Sequence, residues 1–197
     1  MLGGHPRALS TLFFTEMWER FTFYGMRALL VLFLVDAVES GGYGFDDKTA
    51  TAIYGLYTAA VFMAALPGGW IADRLLGAQR AVMIGGTLMT LGTLMLTIPG
   101  PKQLFFGGLV VIILGVGLLK PNVSTLVADL YPEGGGRRDA GFTIFYMGIN
   151  LGAFIGPLIA GWLAQRYGWR IGFLAAAIGL PFGLLQFWLS RRLFNGA

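Results

Sequence analysis

The chain has 197 residues, 56% of them hydrophobic and only 12% charged, with a mean hydropathy of +0.70. A soluble domain carries roughly twice that charged share, and the absence of cysteine excludes a disulfide framework, a thiolate metal site and a cysteine nucleophile. The net charge of +4 comes largely from loop arginines, which report topology in a membrane chain and make nucleic-acid binding a poor reading.

The charges are clustered, leaving charge-free runs over 49–72, 81–101, 103–119, 140–165 and 171–190. A spanning helix needs about 20 mostly apolar residues, because it must satisfy its own backbone across hydrocarbon about 30 Å thick. The expectation is an all-α membrane protein with six transmembrane helices at roughly 9–35, 49–72, 79–99, 103–128, 140–165 and 171–193. The first span carries Glu16, Glu19 and Arg20 and lacks a small-residue cleavage site, so it reads as a retained helix, not a signal peptide. Gly41-Gly42-Tyr43-Gly44 breaks the chain after it, Pro99-Gly100-Pro101 after the third, and Gly134-Gly135-Gly136 after the fourth. Glycine is abundant at 31 residues, and Pro67, Pro121 and Pro157 fall inside apolar runs; membrane helices use the first for close packing and tolerate the second as kinks. With both termini cytoplasmic, the inner segments hold Arg7, Arg74, Arg80, Arg137, Arg138, Arg191 and Arg192, against Lys48, Lys102, Arg166 and Arg170 outside. That bias favours a multi-pass protein of the cell (inner) membrane in this orientation.

The first span is the most informative. Glu16, Glu19 and Arg20 stand at i, i+3 and i+4, one face of a helix, with Phe23 and Arg27 extending the stripe and Tyr24 one turn above Arg20. A charge facing lipid at mid-bilayer costs about 2.5–3.5 kcal/mol on insertion scales. Three within five residues therefore predict a polar interior pathway. Arginine can grip a carboxylate through two parallel hydrogen bonds, and an intramembrane glutamate is a candidate for proton exchange. The competing reading is a neutralising pair that only holds helices together. In the fourth span, Lys120 stands alone beside Pro121, too deep to snorkel. Glu16 and Glu19 are the only acidic residues within a span, so one of them is its expected partner.

Glu16-x-x-Glu19-Arg20-Phe21-x-x-Tyr24-Gly25, Lys120-Pro121-Asn122 and Phe142-x-x-Phe145-Tyr146-x-x-Ile149-Asn150-Leu151-Gly152 resemble signatures of the proton-dependent oligopeptide transporters, within the major facilitator superfamily. Gly69-x-x-x-Asp73-Arg74-x-x-Gly77-x-x-Arg80 is similar to the wider superfamily's loop between helices 2 and 3. The resemblance implies one half of a major facilitator fold, a three-plus-three inverted repeat, although spans 1–3 and 4–6 show no convincing identity. It implies that Arg20 and Lys120 bind a peptide's terminal carboxylate, that Glu16 and Glu19 couple protons, and that Tyr24, Tyr57 and Asn150 line the peptide site. Arg27 would belong to an outer gate, and Asp73 with Arg74 to an inner one. Phe23 and Phe62 stand where many relatives carry tyrosine. Asn150 has a second reading as an interhelical hydrogen bond, and Trp18, Trp162 and the Gly152/Gly156 pair read as packing.

The resemblance further implies proton-coupled symport of di- and tripeptides, with the proton as coupling ion, no organic cofactor or metal, and membrane lipid as surroundings. It is not an enzyme's pattern, and no catalytic residue is expected. The second six-helix half, which would complete the cavity, is expected to be absent, leaving the chain inactive alone. Two alternatives are kept: a truncated or interaction protein that pairs with a full transporter, and a proton-coupled carrier of another small anion such as nitrate.

Overall fold

The computed structural model describes residues 4–194, and every element among them is helical. Six long helices follow one another: α1 Arg7–Val35, α2 Asp47–Ile71, α3 Ala78–Met95, α4 Lys102–Asp129, α5 Gly135–Tyr167 and α6 Trp169–Ser190. The last three residues, Asn195 to Ala197, which follow the sixth predicted segment, lie outside the described residues. Four helices are long and apolar enough to cross a membrane, namely α4, α5, α2 with the π-helical turn Ala72–Leu76, and α6 with the short 3-10 turn Arg191–Phe194. Helix α1 falls short in composition because it carries Glu16, Glu19, Arg20 and Arg27. Helix α3 is the shortest, at 18 residues, and opens on Gln79-Arg80.

Two boundaries differ from the sequence reading. Helix α3 stops at Met95, where Leu96 and Thr97 turn back to the carbonyls of Thr93 and Leu94, ahead of a Pro99-Gly100-Pro101 stretch that cannot continue a helix. Helix α5 starts five residues before 140, because Gly134 and Gly135 take positive φ (69° and 73°) and set the turn there. Its first turns therefore carry exposed Arg137, Arg138 and Asp139. At the opposite end of the molecule, Asp46 caps α2, accepting hydrogen bonds from the Thr49 amide (2.9 Å) and hydroxyl (2.6 Å). Those bonds favour its ionised form and hold the Asp46 carboxyl below its ordinary value.

Packing is ordered in pairs. Helix α1 lies along α5 and α6, while α4 lies along α2 and α3, and α3 meets α6. Exchanging the first three helices for the last three preserves these pairings but not all of the packing, because α5 also lies against α6 whereas α2 and α3 barely meet. Glycines make the approaches close. On α5, Gly148, Gly152 and Gly156 recur every four residues and face the α1 carbonyls of Phe13, Met17 and Phe21, also four apart. A methyl group at Gly148 would stand 2.8 Å from the Phe13 carbonyl oxygen, well inside van der Waals contact. Between α3 and α4, a methyl on either Gly85 or Gly115 would stand 2.6 Å from the other's carbonyl oxygen. Without a hydrophobic drive in lipid, such small-residue seams supply the dispersion contacts that hold helices together. The apolar stretches of α2 and α5 are 17% and 22% buried, against 44% and 50% for α4 and α6, so α2 and α5 carry the bare faces.

The seam yields a direct test. Gly152→Ala forces a methyl against the Met17 carbonyl and the Arg20 Cβ and should cost about 1–3 kcal/mol. Gly161→Ala, where nothing lies within 4 Å, should leave the thermal unfolding midpoint in detergent unchanged or slightly raised.

Candidate functional site

Helix α1 positions the site through its regular spacing. Glu16, Glu19 and Arg20 are 4%, 0% and 4% exposed, so the stripe is sunk inside the bundle and not spread along an open wall. Arg20 Nε lies 3.0 Å from Glu16 Oε1 and also contacts Glu19 Oε2. One guanidinium thus serves two carboxyl groups from its own helix. Glu16 Oε2, Glu19 Oε1, Arg20 Nη2 and the Tyr57 hydroxyl are buried with no hydrogen-bond partner among the described residues, as is Thr58 Oγ1. Buried polar atoms are almost always satisfied, so this concentration of unsatisfied groups marks a place built to meet something polar.

Aromatic rings frame the charges. The Arg20 guanidinium carbon lies 5.3 Å from the Phe23 ring and 5.9 Å from the Tyr24 ring. Phe23 stacks on Tyr57 of α2 at 6.5 Å, and Tyr57 is buried. Arg27 stands over Tyr24 (5.8 Å) and Tyr54 (5.1 Å), and its Nε donates to the Tyr54 hydroxyl. These contacts gather Glu16, Glu19, Arg20, Tyr24, Arg27 and Tyr57 in one region between α1 and α2. Tyr54 and Thr58 were missed in the sequence; Tyr54 lies one turn before Tyr57 on α2, and that spacing was the available signal.

Lys120 departs from expectation. Among the described residues it forms no ion pair with Glu16 or Glu19, which are both held by Arg20. Its ammonium sits 4.7 Å from the ring of Phe62 on α2. The reason is geometric: α4 packs along α2 and α3 and touches α1 only slightly, so the nearest surface for a half-buried lysine on α4 is an α2 ring. Both glutamates still attract it electrostatically, while Arg20 and Arg27 repel it. A phenylalanine at 62 offers Lys120 its π face and no hydroxyl.

The remaining predicted residues lie apart. Asn150 is exposed on α5, with no hydrogen-bond partner among the described residues, which disfavours its reading as an interhelical clasp in this bundle. Asp73 and Arg74 are exposed in the π-helical turn that ends α2, and neither forms an ion pair among the described residues. Trp18 packs on Phe21 and Phe182, a packing role. A cleft of about 820 Å³ lies elsewhere, between Gly77, Arg80, Asp129, Tyr131 and Arg138 at the helix ends. It holds none of the buried unsatisfied groups, and these, not volume, define the candidate site.

A bundle of helices long and apolar enough to cross a bilayer, enclosing a compensated charge cluster, defines an integral membrane protein. The chain belongs to the POT family of proton-dependent oligopeptide transporters, whose family model matches residues 79–196. It is 51% identical over 189 residues to the uncharacterized transporter YclF of Bacillus subtilis, covering 96% of this chain and 38% of that one. It is 50% identical over 186 residues to the peptide transporter YePEPT of Yersinia enterocolitica, covering 93% and 36% respectively. Among solved structures, a peptide transporter POT in complex with sulfate superposes with a TM-score of 0.95 at 50% identity, over 100% of this chain and 40% of that one. A POT family transporter in complex with 5-aminolevulinic acid gives 0.95 at 44% identity, again over 100% and 40%. The chain thus spans about two fifths of the length of the curated relatives it matches.

Removing the shared cation tests the cluster. Arg20→Met leaves two buried carboxylates uncompensated and should cost about 3–5 kcal/mol, read as a lowered unfolding midpoint in detergent. Adding Glu16→Gln and Glu19→Gln to the same chain should recover more than half of the loss, since neutral amides need no counter-charge.

Proposed function

We propose that this chain is the amino-terminal six-helix half of a proton-coupled symporter for di- and tripeptides, with both termini on the cytoplasmic side of the cell membrane. The buried cluster of Glu16, Glu19 and Arg20, with its unsatisfied polar atoms, carries the reading. Relatives described as peptide and di-/tripeptide transporters support the cargo. The pairings of α1 with α5 and α6, mirrored by those of α4 with α2 and α3, support a three-plus-three inverted repeat. The bare faces of α2 and α5 suit a second half of the same architecture, and the length relation to the relatives supports its existence.

In this reading a proton on Glu16 or Glu19 releases Arg20 from that carboxylate, and the freed guanidinium grips the carboxylate of a peptide. Lys120, already outside any ion pair and held on Phe62, supplies the second cation. Tyr24, Tyr57 and Asn150 meet the peptide backbone; the exposed Asn150 amide reaches its partner only once the second half closes the cavity. Arg27 with Tyr54 forms part of the outer gate, and Asp73 with Arg74 part of the inner gate, each completed by the second half. Coupling needs only the proton, with no organic cofactor. A second reading, a small non-peptide anion as cargo, is favoured by the sulfate found on a relative.

Uptake of labelled dipeptide into proteoliposomes tests this. The chain alone should show no uptake that depends on an inward proton gradient. Co-expressed with the carboxy-terminal half of the Yersinia transporter it should accumulate dipeptide, and Lys120→Ala should reduce that accumulation at least tenfold, the loss of one charged contact of about 1.5–3 kcal/mol. Gradient-driven uptake by the chain alone would overturn the half-transporter reading. Uptake of a labelled small anion without dipeptide, by the paired halves, would favour the second cargo.

A further inference from the structure

Away from the charge cluster, α3 and α6 pack against each other and leave a groove along their shared edge. Its mouth, about 300 Å³, is lined by Arg80 at the start of α3, by Arg191 just past the end of α6, and by Met83, Ile84, Phe187 and Trp188. Met83 and Ile84 also line the next cleft, about 230 Å³, which continues along α3 past Thr87 and Leu88. From Arg80 to Leu88 the groove runs about 12 Å along the helix. One end is doubly cationic and the rest is apolar.

Neither arginine forms an ion pair among the described residues. The guanidinium of Arg191 lies 5.1 Å from the Trp188 ring, and that ring is 47% exposed. A half-exposed indole at the end of an apolar helix sits at headgroup depth in a bilayer. Basic groups between helices at that depth attract anionic headgroups. We infer that the groove is a binding site for an anionic phospholipid, with the headgroup phosphate between Arg80 and Arg191 and one acyl chain along Met83, Ile84 and Leu88. Charge complementarity fixes the headgroup class. Two unpaired guanidiniums face a single mouth, and a zwitterionic headgroup would bring its own cation beside them. The apolar continuation distinguishes a lipid from a free anion, which has no use for it. The inference needs only that the chain is embedded in a membrane and is independent of its cargo.

The probe is the groove's own tryptophan. The full chain is reconstituted in phosphatidylcholine vesicles containing equal mole fractions of brominated phosphatidylglycerol or brominated phosphatidylcholine. The Trp188 component is taken as the quenching lost in Trp188→Phe. It should be larger with the brominated phosphatidylglycerol, and the preference should fall roughly fivefold for each arginine removed in Arg80→Gln and Arg191→Gln. Arg80→Lys with Arg191→Lys should retain most of it, and Thr87→Phe, which fills the groove without touching the arginines, should lower it. Equal quenching by the two lipids would overturn the proposal, as would a preference that survives the double glutamine substitution. Complete displacement by millimolar inorganic phosphate at constant ionic strength would also overturn it, by showing a free-anion site.

Discussion

Everything around the candidate site follows from one constraint: two carboxyl groups buried on a single helix share one guanidinium. Arg20 contacts both Glu16 and Glu19, so the buried acidic groups outnumber the cation that serves them. Further cations are therefore held nearby without being consumed, Lys120 over Phe62 and Arg27 over Tyr54. Aromatic faces suit that duty because they attract a cation weakly and leave its N–H donors free. A closed ion pair for every charge would have made a stiffer bundle with nothing left to offer a ligand.

Five of the six helices, α2 to α6, were readable from charge-free runs, because hydrocarbon imposes a length and composition that few other environments demand. Spacing alone brought Glu16, Glu19 and Arg20 to one face. It did not reveal which carboxylate each cation would meet. Lys120 was assigned a glutamate by elimination, yet the arrangement of α4 against α2 put Phe62 beneath it. That outcome depends on which helices touch, a tertiary fact with no local signature. The contact between Arg27 and Tyr54 was hidden for the same reason. Asn150, legible as a motif residue, stands exposed, with no hydrogen-bond partner among the described residues.

The two ends of the bundle are tied differently. At one end Trp169 donates to Asp36 at 2.7 Å, and Phe33, Tyr43, Phe105 and Phe173 pack ring on ring beside it. At the other, His5 meets the Tyr131 hydroxyl at 2.7 Å and Arg137 donates to the Gly4 carbonyl, polar ties that water can replace. The first end is a dense apolar knot that opens only by exposing its rings. The second holds the large cleft beside Arg80 and Arg138, next to a buried apolar cluster that includes Leu126, Tyr131, Phe187 and Phe194.

The seam between α1 and α5 has an asymmetry of its own. Gly148, Gly152 and Gly156 face main-chain carbonyls of Phe13, Met17 and Phe21, and every residue type presents the same carbonyl. One helix must therefore keep three glycines, while its partner meets them with main chain, so at Met17 the seam fixes the backbone path and not the side chain. A mutational scan of the seam would be intolerant at the three glycines and permissive at Met17, whereas Phe13, whose ring also meets Gly148, and Phe21, buried against Trp18 and Gly179, would tolerate little. Helix α1 gains from this arrangement the latitude to devote its side chains to charge, which its neighbour's side of the contact does not need.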